Sequence, residues 1–253
     1  MKIDLTGRLA LVTGATGELG RVITRTLAGC GADVAIHYHG NKEMAAKLLG
    51  EVAAMGRRAE TFQADVTDEP SVKRMRKEVA DSLGDPDILV NNAVIQYEWT
   101  PVLEQSPGDY ESQYRSCVLH NVLMAQAFAP AMIRKQWGRI IAINTECSMQ
   151  CHPSQSAYVS GKRGMDGLLR VLAAEIGQYN ITVNQVAPGW MISDKYRAAG
   201  TERQPGYEKG VPLRHRGTDQ DVANAIAFLA SDLAAFVSGV YLPVCGGNVM
   251  PRI

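Results

Sequence analysis

Short apolar runs alternate with longer helical stretches from one end of the chain to the other, and this alternation restricts the fold more than any other feature. The runs at 9–13, 34–37, 59–63, 88–90, 139–143, 182–186 and 240–244 are strand-length and built largely from apolar and β-branched residues. Helical spacing marks the stretches near 18–30, 42–55, 71–83, 109–135, 157–178 and 219–230. Strands that are apolar at nearly every position are covered on both faces, as crossover helices cover a parallel sheet. The pattern predicts the α/β class: a doubly wound parallel sheet of about seven strands, with helices on both faces and a ligand crevice at the carboxyl ends of the strands.

No Pro/Gly/Ser linker, charge block or low-complexity stretch divides the chain, so one domain over 1–253 is expected. Lys plus Arg total 26 and Asp plus Glu total 26, without the basic excess that marks nucleic-acid binding. The basic run at 73–77 is offset by Asp68, Glu69, Glu78 and Asp81 and reads as a solvated helix face. Five cysteines with no CxxC pair, and an N-terminus without an apolar signal region, point to reduced thiols in a cytoplasm. The uncharged stretch 116–133 holds His120, Asn121, Gln126 and Pro130, which hydrocarbon disfavours. It is expected as a helix buried in protein rather than a membrane span. Cys147, Cys151 and His152 lack the second ligand pair of a zinc site, so no metal is expected.

The first run ends in Thr13-Gly14-Ala15-Thr16-Gly17-Glu18-Leu19-Gly20 and passes straight into a helix. Glycines there allow a tight turn and close backbone approach to a pyrophosphate, whose charge meets the helix N-terminus. Gly14, Ala15, Thr16, Gly17 and Leu19 are therefore candidate dinucleotide contacts. NAD-selective sites place an acid after the second strand to hold the ribose hydroxyls. This chain has His39 there and no carboxylate before Glu43, which favours NADP over NAD. Asp65-Val66 and Asn91-Asn92-Ala93 close the third and fourth strands on the same sheet edge, where Asp65 faces an adenine and Asn92 a ribose.

Tyr158 and Lys162 share one helical face through their i, i+4 spacing. A free tyrosine titrates near ~10, and bringing it to neutrality takes roughly 4 kcal/mol of differential stabilisation. A desolvated ammonium and a cationic nicotinamide ring are the expected sources. The phenol then exchanges a proton with an alcohol or carbonyl oxygen as hydride moves. Thr145, at the end of the preceding strand, offers a hydroxyl to fix that oxygen.

Together these motifs resemble the short-chain dehydrogenase/reductase family in its compact branch, over essentially the whole chain. Asn184, Pro188-Gly189, Phe236-Val237-Ser238-Gly239 and Gly246-Gly247 extend the match to the end. The general likeness is to 3-oxoacyl-ACP reductases and to sugar or polyol dehydrogenases. The resemblance implies a Rossmann-type fold and an oxidoreductase exchanging hydride between a nicotinamide dinucleotide and a small alcohol or carbonyl compound. It makes Tyr158 the acid/base, gives Lys162 a hold on the nicotinamide ribose, and puts Thr145 in place of the usual serine. It also implies contacts from Met191, through its backbone, and Ser193 to the carboxamide and phosphates. A homotetramer or homodimer built on the long helices is expected.

Some positions depart from the family pattern. Glu18 replaces a glycine, and the spacing Gly14-Gly17-Gly20 resembles the extended, epimerase-like branch. Val94 replaces another glycine, and Cys245 stands where aspartate is common. Cys117 falls where the family carries an asparagine that anchors a water leading to the lysine, and a thiol is a poor substitute. Asn121, one turn further on, is the amide nearest in sequence to replace it. These changes support an alternative: a non-catalytic dinucleotide-binding or scaffold protein on the same fold. Substrate contacts are expected from Gln96, Gln155 and Trp190 beside Thr145 and Tyr158. A cover at 190–213 lies over them, with Lys195, Arg197, Arg203 and Lys209 read as solvated.

Overall fold

In a computed structural model, residues 2–95 and 97–251 are described. The strands are β1 (Leu9–Val12), β2 (Asp33–Tyr38), β3 (Ala59–Gln63), β4 (Ile88–Asn91), β5 (Gly138–Ile143), β6 (Ile181–Pro188) and β7 (Tyr241–Val244). They form one sheet in the order β3-β2-β1-β4-β5-β6-β7, and every pairing is parallel. This is the Rossmann-type doubly wound sheet the alternation predicts. The chain order reverses beside β1, between it and β4, which opens the crevice where such sheets bind ligands.

The main helices are α1 (Glu18–Gly29), α2 (Lys42–Ala54) and α3 (Glu69–Ser82), followed by α4 (Pro107–Gln113), α5 (His120–Lys135), α6 (Cys147–Gln150) and α7 (Ser156–Ile176). After β6 come α8 (Asp194–Ala199), α9 (Pro205–Glu208) and α10 (Asp219–Ala230). Successive strand residues serve opposite cores. Ala10, Val12, Val34 and Ile36 join Ile23 and Leu27 of α1 and Ile226 of α10 on one face. Leu11, Ala35 and Leu89 join Met75 of α3, Phe128 of α5 and Leu169 of α7 on the other. Both side-chain directions are buried, so the strands are apolar throughout rather than alternating.

The stretch expected as one helix over 109–135 is interrupted. Between α4 and α5, residues Tyr114–Leu119 form a π-helical segment that contains Cys117. A π turn adds a residue to the turn and re-aims the side chains after it. The whole stretch Pro107–Lys135 is long and apolar enough to cross a membrane by length and composition, and 56% of its most apolar window is buried inside the protein. It packs against α3 and α7.

Candidate active site

β1 ends at Val12, and Gly14 takes the chain round with φ +60°. A Cβ at Gly14 would stand 2.9 Å from the Ala93 Cα, so only glycine fits this turn against the end of β4. Gly20 is tighter still, since a Cβ there would overlap the Gly14 carbonyl oxygen and lie 2.8 Å from the Ala15 Cα. From the β4 side, Asn92 Nδ2 donates to the Thr13 and Gly14 carbonyls at 3.0 and 3.1 Å. The Thr13 hydroxyl accepts the Asn92 and Ala93 N–H groups. From β2, the His37 carbonyl accepts the Ala15 N–H and His37 Nδ1 accepts the Gly14 N–H, both at 2.9 Å.

So tied, the turn fronts a cavity of about 780 Å³ lined by Gly14, Thr16, Gly17, Leu19, Asp65, Val66 and Asn92. No side chain caps α1 at Gly17, which leaves its first-turn N–H groups for a ligand anion. The close-approach glycines and the uncapped helix fit a dinucleotide pyrophosphate. Ala15 differs from expectation: it is fully buried with its N–H spent, and it shapes the turn without facing the cavity. Glu18 and Val94 both line the cavity.

His37 is held neutral by its role in the loop, with Nε2 3.1 Å from the Ala64 carbonyl. Burial pulls its pKa from 6.5 to about 4, and burial pulls His120 to about 3. The unfolded chain therefore binds more protons than the folded one between pH 6.5 and 4, and stability falls with pH across that window. The contribution is complete above pH 6.5 and lost towards pH 4. For His37 it amounts to about 3 kcal/mol. Denaturant titrations from about pH 7 down to about pH 4.5 should show a falling unfolding free energy, with a shallower fall in His37→Gln. An equal fall in both proteins would reject the assignment.

His39, exposed at the end of β2, lines this cavity and a smaller one of about 450 Å³ that Gln63, Ser71 and Arg74 share. Lys195 reaches the larger cavity from the cover. Burial acts to raise the Asp65 carboxyl, but bonds from the Thr67 N–H and hydroxyl at 2.8 and 2.7 Å outweigh it and hold it below the usual range.

Thr145, just past β5, and Tyr158, in the first turn of α7, line a second cavity of about 980 Å³ with Gln155 and Trp190. Ile95 lines both large cavities, so they adjoin there. The Tyr158 ring stacks on Trp99 with centroids 6.3 Å apart, and the Tyr158 N–H donates to the Tyr97 hydroxyl at 2.6 Å. Lys162 is buried with Nζ 5.7 Å from the Tyr158 ring centroid, donating to the Ile143 carbonyl at 2.6 Å. Burial, then the Cys147 and Cys117 thiols, push the Tyr158 phenol far above the ordinary tyrosine range, while the Thr145 side chain opposes them. Burial also pulls the Lys162 ammonium below its ordinary value. The upward shift is that of the protein without the cationic nicotinamide ring, on which the expected lowering also drew.

Asn121 Nδ2 donates one hydrogen to the Cys117 carbonyl at 2.7 Å and Oδ1 accepts Asn91 Nδ2 at 2.7 Å, which uses one of its two donors and one of its two acceptor positions. Met191 and Ser193 fall outside the described lining of both large cavities. The Met191 carbonyl is occupied by Arg216 Nη2 at 2.7 Å, and Ser193 is the N-cap of α8. The cover's basic residues are exposed, as expected, and its arginines are also paired: Arg197 binds Asp219 at 2.7 Å and Asp194 at 3.0 Å, and Arg203 binds Glu208 at 2.8 Å. Gln96 lies outside the described residues.

Several lining residues carried no sequence signal. Arg74 borders His39, while Tyr97, Trp99, Glu146 and Tyr207 complete the second cavity. Arg216, also unanticipated, holds the cover. Its guanidinium donates to the carbonyls of Trp190, Met191 and Glu202 at 2.9, 2.7 and 3.0 Å and stacks on the Tyr196 ring at 4.3 Å.

A family model described as enoyl-(acyl carrier protein) reductase matches residues 14–248. The chain is 36% identical over 252 residues to the 3-oxoacyl-(acyl-carrier-protein) reductase of Staphylococcus epidermidis, covering 95% of this chain and 98% of that protein. The chain belongs to the short-chain dehydrogenase/reductase family. Among solved structures, a gluconate 5-dehydrogenase from Burkholderia cenocepacia in complex with NADP and tartrate has a TM-score of 0.89 and 31% identity, with 98% of this chain and 97% of that chain covered. A 7α-hydroxysteroid dehydrogenase complexed with NADH and 7-oxo glycochenodeoxycholic acid has a TM-score of 0.88 and 30% identity, with 99% and 97% covered. This short-chain dehydrogenase/reductase carries Cys117, buried, in its π turn.

Proposed function

We propose that this short-chain dehydrogenase/reductase is an NADP(H)-linked carbonyl reductase or alcohol dehydrogenase in which Tyr158 moves the proton, assisted by Lys162 and Thr145. The observation that carries the reading is a shared wall: Thr145 and Tyr158 line one cavity, and that cavity meets the glycine-loop cavity at Ile95. In the reductive direction the Tyr158 hydroxyl gives its proton to the substrate oxygen as hydride reaches the carbonyl carbon, while the Thr145 hydroxyl fixes that oxygen. Burial keeps the phenol protonated, which suits a donor. In the oxidative direction a phenolate has to form, and Lys162 is the buried cation beside the ring. A bound dinucleotide supplies or accepts the hydride and, when oxidised, adds a positive ring next to the phenol. Residues 1–253 act on this reading as one domain, within a dimer or tetramer.

NADP is the preferred form. No carboxylate follows β2 before Glu43, and Arg74 and Lys195 line the cavities that share His39. The gluconate 5-dehydrogenase holds NADP and the hydroxysteroid dehydrogenase NADH, so both belong in the test. NADP should bind the parent roughly tenfold more tightly than NAD, and His39→Asp should reverse that order by repelling the 2′-phosphate. Tighter binding of NAD by the parent would defeat the preference.

The second reading, a dinucleotide-binding protein without turnover, draws on Cys117 in the π turn, where a thiol stands in for an amide. Screening ketones, diketones and polyols with both dinucleotides separates the two. Turnover that depends on Tyr158 rejects the second reading; tight dinucleotide binding with no turnover on any of them rejects the first.

A further inference from the structure

Among its described lining, the second cavity has a single carboxyl group, Glu146, and no lysine or arginine. Glu146 follows Thr145 in sequence, and it is buried. Its carboxylate is fixed from two directions. The Tyr207 hydroxyl donates to Oε1 at 2.8 Å, and Asn248 Nδ2 donates to Oε2 at 3.0 Å. An ionised carboxyl has about four acceptor positions, so these two donors leave room for a ligand's hydroxyls. Gln155, in the same lining, is buried with an Oε1 that has no partner among the described residues. The lining therefore presents two acceptors with room for a ligand, the Glu146 carboxyl and Gln155 Oε1.

Six aromatic side chains, Tyr97, Trp99, Tyr158, Trp190, Tyr196 and Tyr207, also line the cavity. Trp190 meets Tyr196 and Tyr207 edge-on, with centroids 6.0 and 5.6 Å away, and Trp99 stacks on Tyr158. Rings of this kind pack against the C–H faces of a hydroxylated carbon chain while a few polar groups orient it. The nearby cations are committed elsewhere. Arg197 and Arg203 are paired with carboxylates, and Lys195 lines the other large cavity. An anionic substrate would place a second negative charge beside Glu146, with the His152 imidazole the one side chain of the described lining able to carry an opposing charge.

We infer that Glu146 determines specificity: it accepts the hydroxyl groups of an uncharged polyol or polyhydroxy ketone and excludes analogues bearing a carboxylate. This rests on the proposed function, because it presumes that Thr145 and Tyr158 hold the reacting carbon one residue away.

The test compares an uncharged polyol with the sugar acid in which one terminal CH₂OH is a carboxylate. Both kcat/KM and Kd are read, the latter by tryptophan quenching in the dinucleotide-bound protein. The parent should favour the uncharged compound by roughly tenfold to a hundredfold. Glu146→Gln should shrink that ratio at least several-fold, mainly through KM; it keeps both network bonds once Asn248 turns its amide. A purely structural Glu146 lowers both compounds alike and leaves the ratio unmoved, which would overturn the proposal. A parent that favours the acid would overturn it too. If neither compound turns over but the binding ratio behaves as stated, the proposed function fails while the role of Glu146 stands.

Discussion

Tyr158→Phe is expected to lower kcat by roughly a hundredfold to ten-thousandfold, with dinucleotide affinity left near the parent value. The phenylalanine keeps the ring that stacks on Trp99 and loses only the hydroxyl that shares a cavity with Thr145. The dinucleotide cavity draws its walls from the glycine turn, Asp65 and Asn92, none of which that hydroxyl supports. Steady-state kinetics on whichever substrate the panel identifies, paired with a dinucleotide titration, checks both halves. Turnover at the parent rate would remove Tyr158 from the chemistry. Lost binding of the dinucleotide would make its role structural instead.

Gly20→Ala should produce the largest loss of stability and binding together. The added methyl would overlap the Gly14 carbonyl and stand 2.8 Å from the Ala15 Cα, both rigid backbone atoms held by bonds from His37 and Asn92. Relieving the overlap has to open the turn, at a cost of about 1–3 kcal/mol. In a chain of this length that corresponds to a Tm drop of roughly 2–10 °C. The opened turn no longer presents its N–H groups to a pyrophosphate, so dinucleotide affinity should fall in parallel. Gly50→Ala is the control: Gly50 is exposed on α2 with nothing within 4 Å of its added methyl, so that change should be neutral or slightly stabilising. Equal effects from the two substitutions would mean that the turn is not under the constraint described.

The sheet was legible in the sequence because burial on both faces leaves its mark on every strand residue. Leu11 and Val12 serve different cores, so neither position tolerates a polar side chain. Thr145 and Tyr158 were legible for a related reason: parallel strands deliver their carboxyl ends to one edge, so neighbours of strand ends converge whatever lies between. The break at Tyr114–Leu119 was not, since a π turn shifts hydrogen bonding by one residue without changing which residues are apolar. Glu146 and Tyr207 are 61 residues apart and meet only because the cover folds back over β5. The short helices α6, α8 and α9 are under two turns long and leave no periodicity to read. The stacking of Tyr158 on Trp99 escaped as well, because spacing gives the nearness of a cation but not what packs on the ring.

Arg216 ties Trp190, Met191 and Glu202 to one guanidinium while stacking on Trp190 and Tyr196. The Trp190 N–H is in turn bound to the Tyr207 hydroxyl. These aromatic walls are fastened to a common hub. Displacing any one of these walls strains the bonds that hold the others, so a bulky compound meets several linked contacts rather than one side chain.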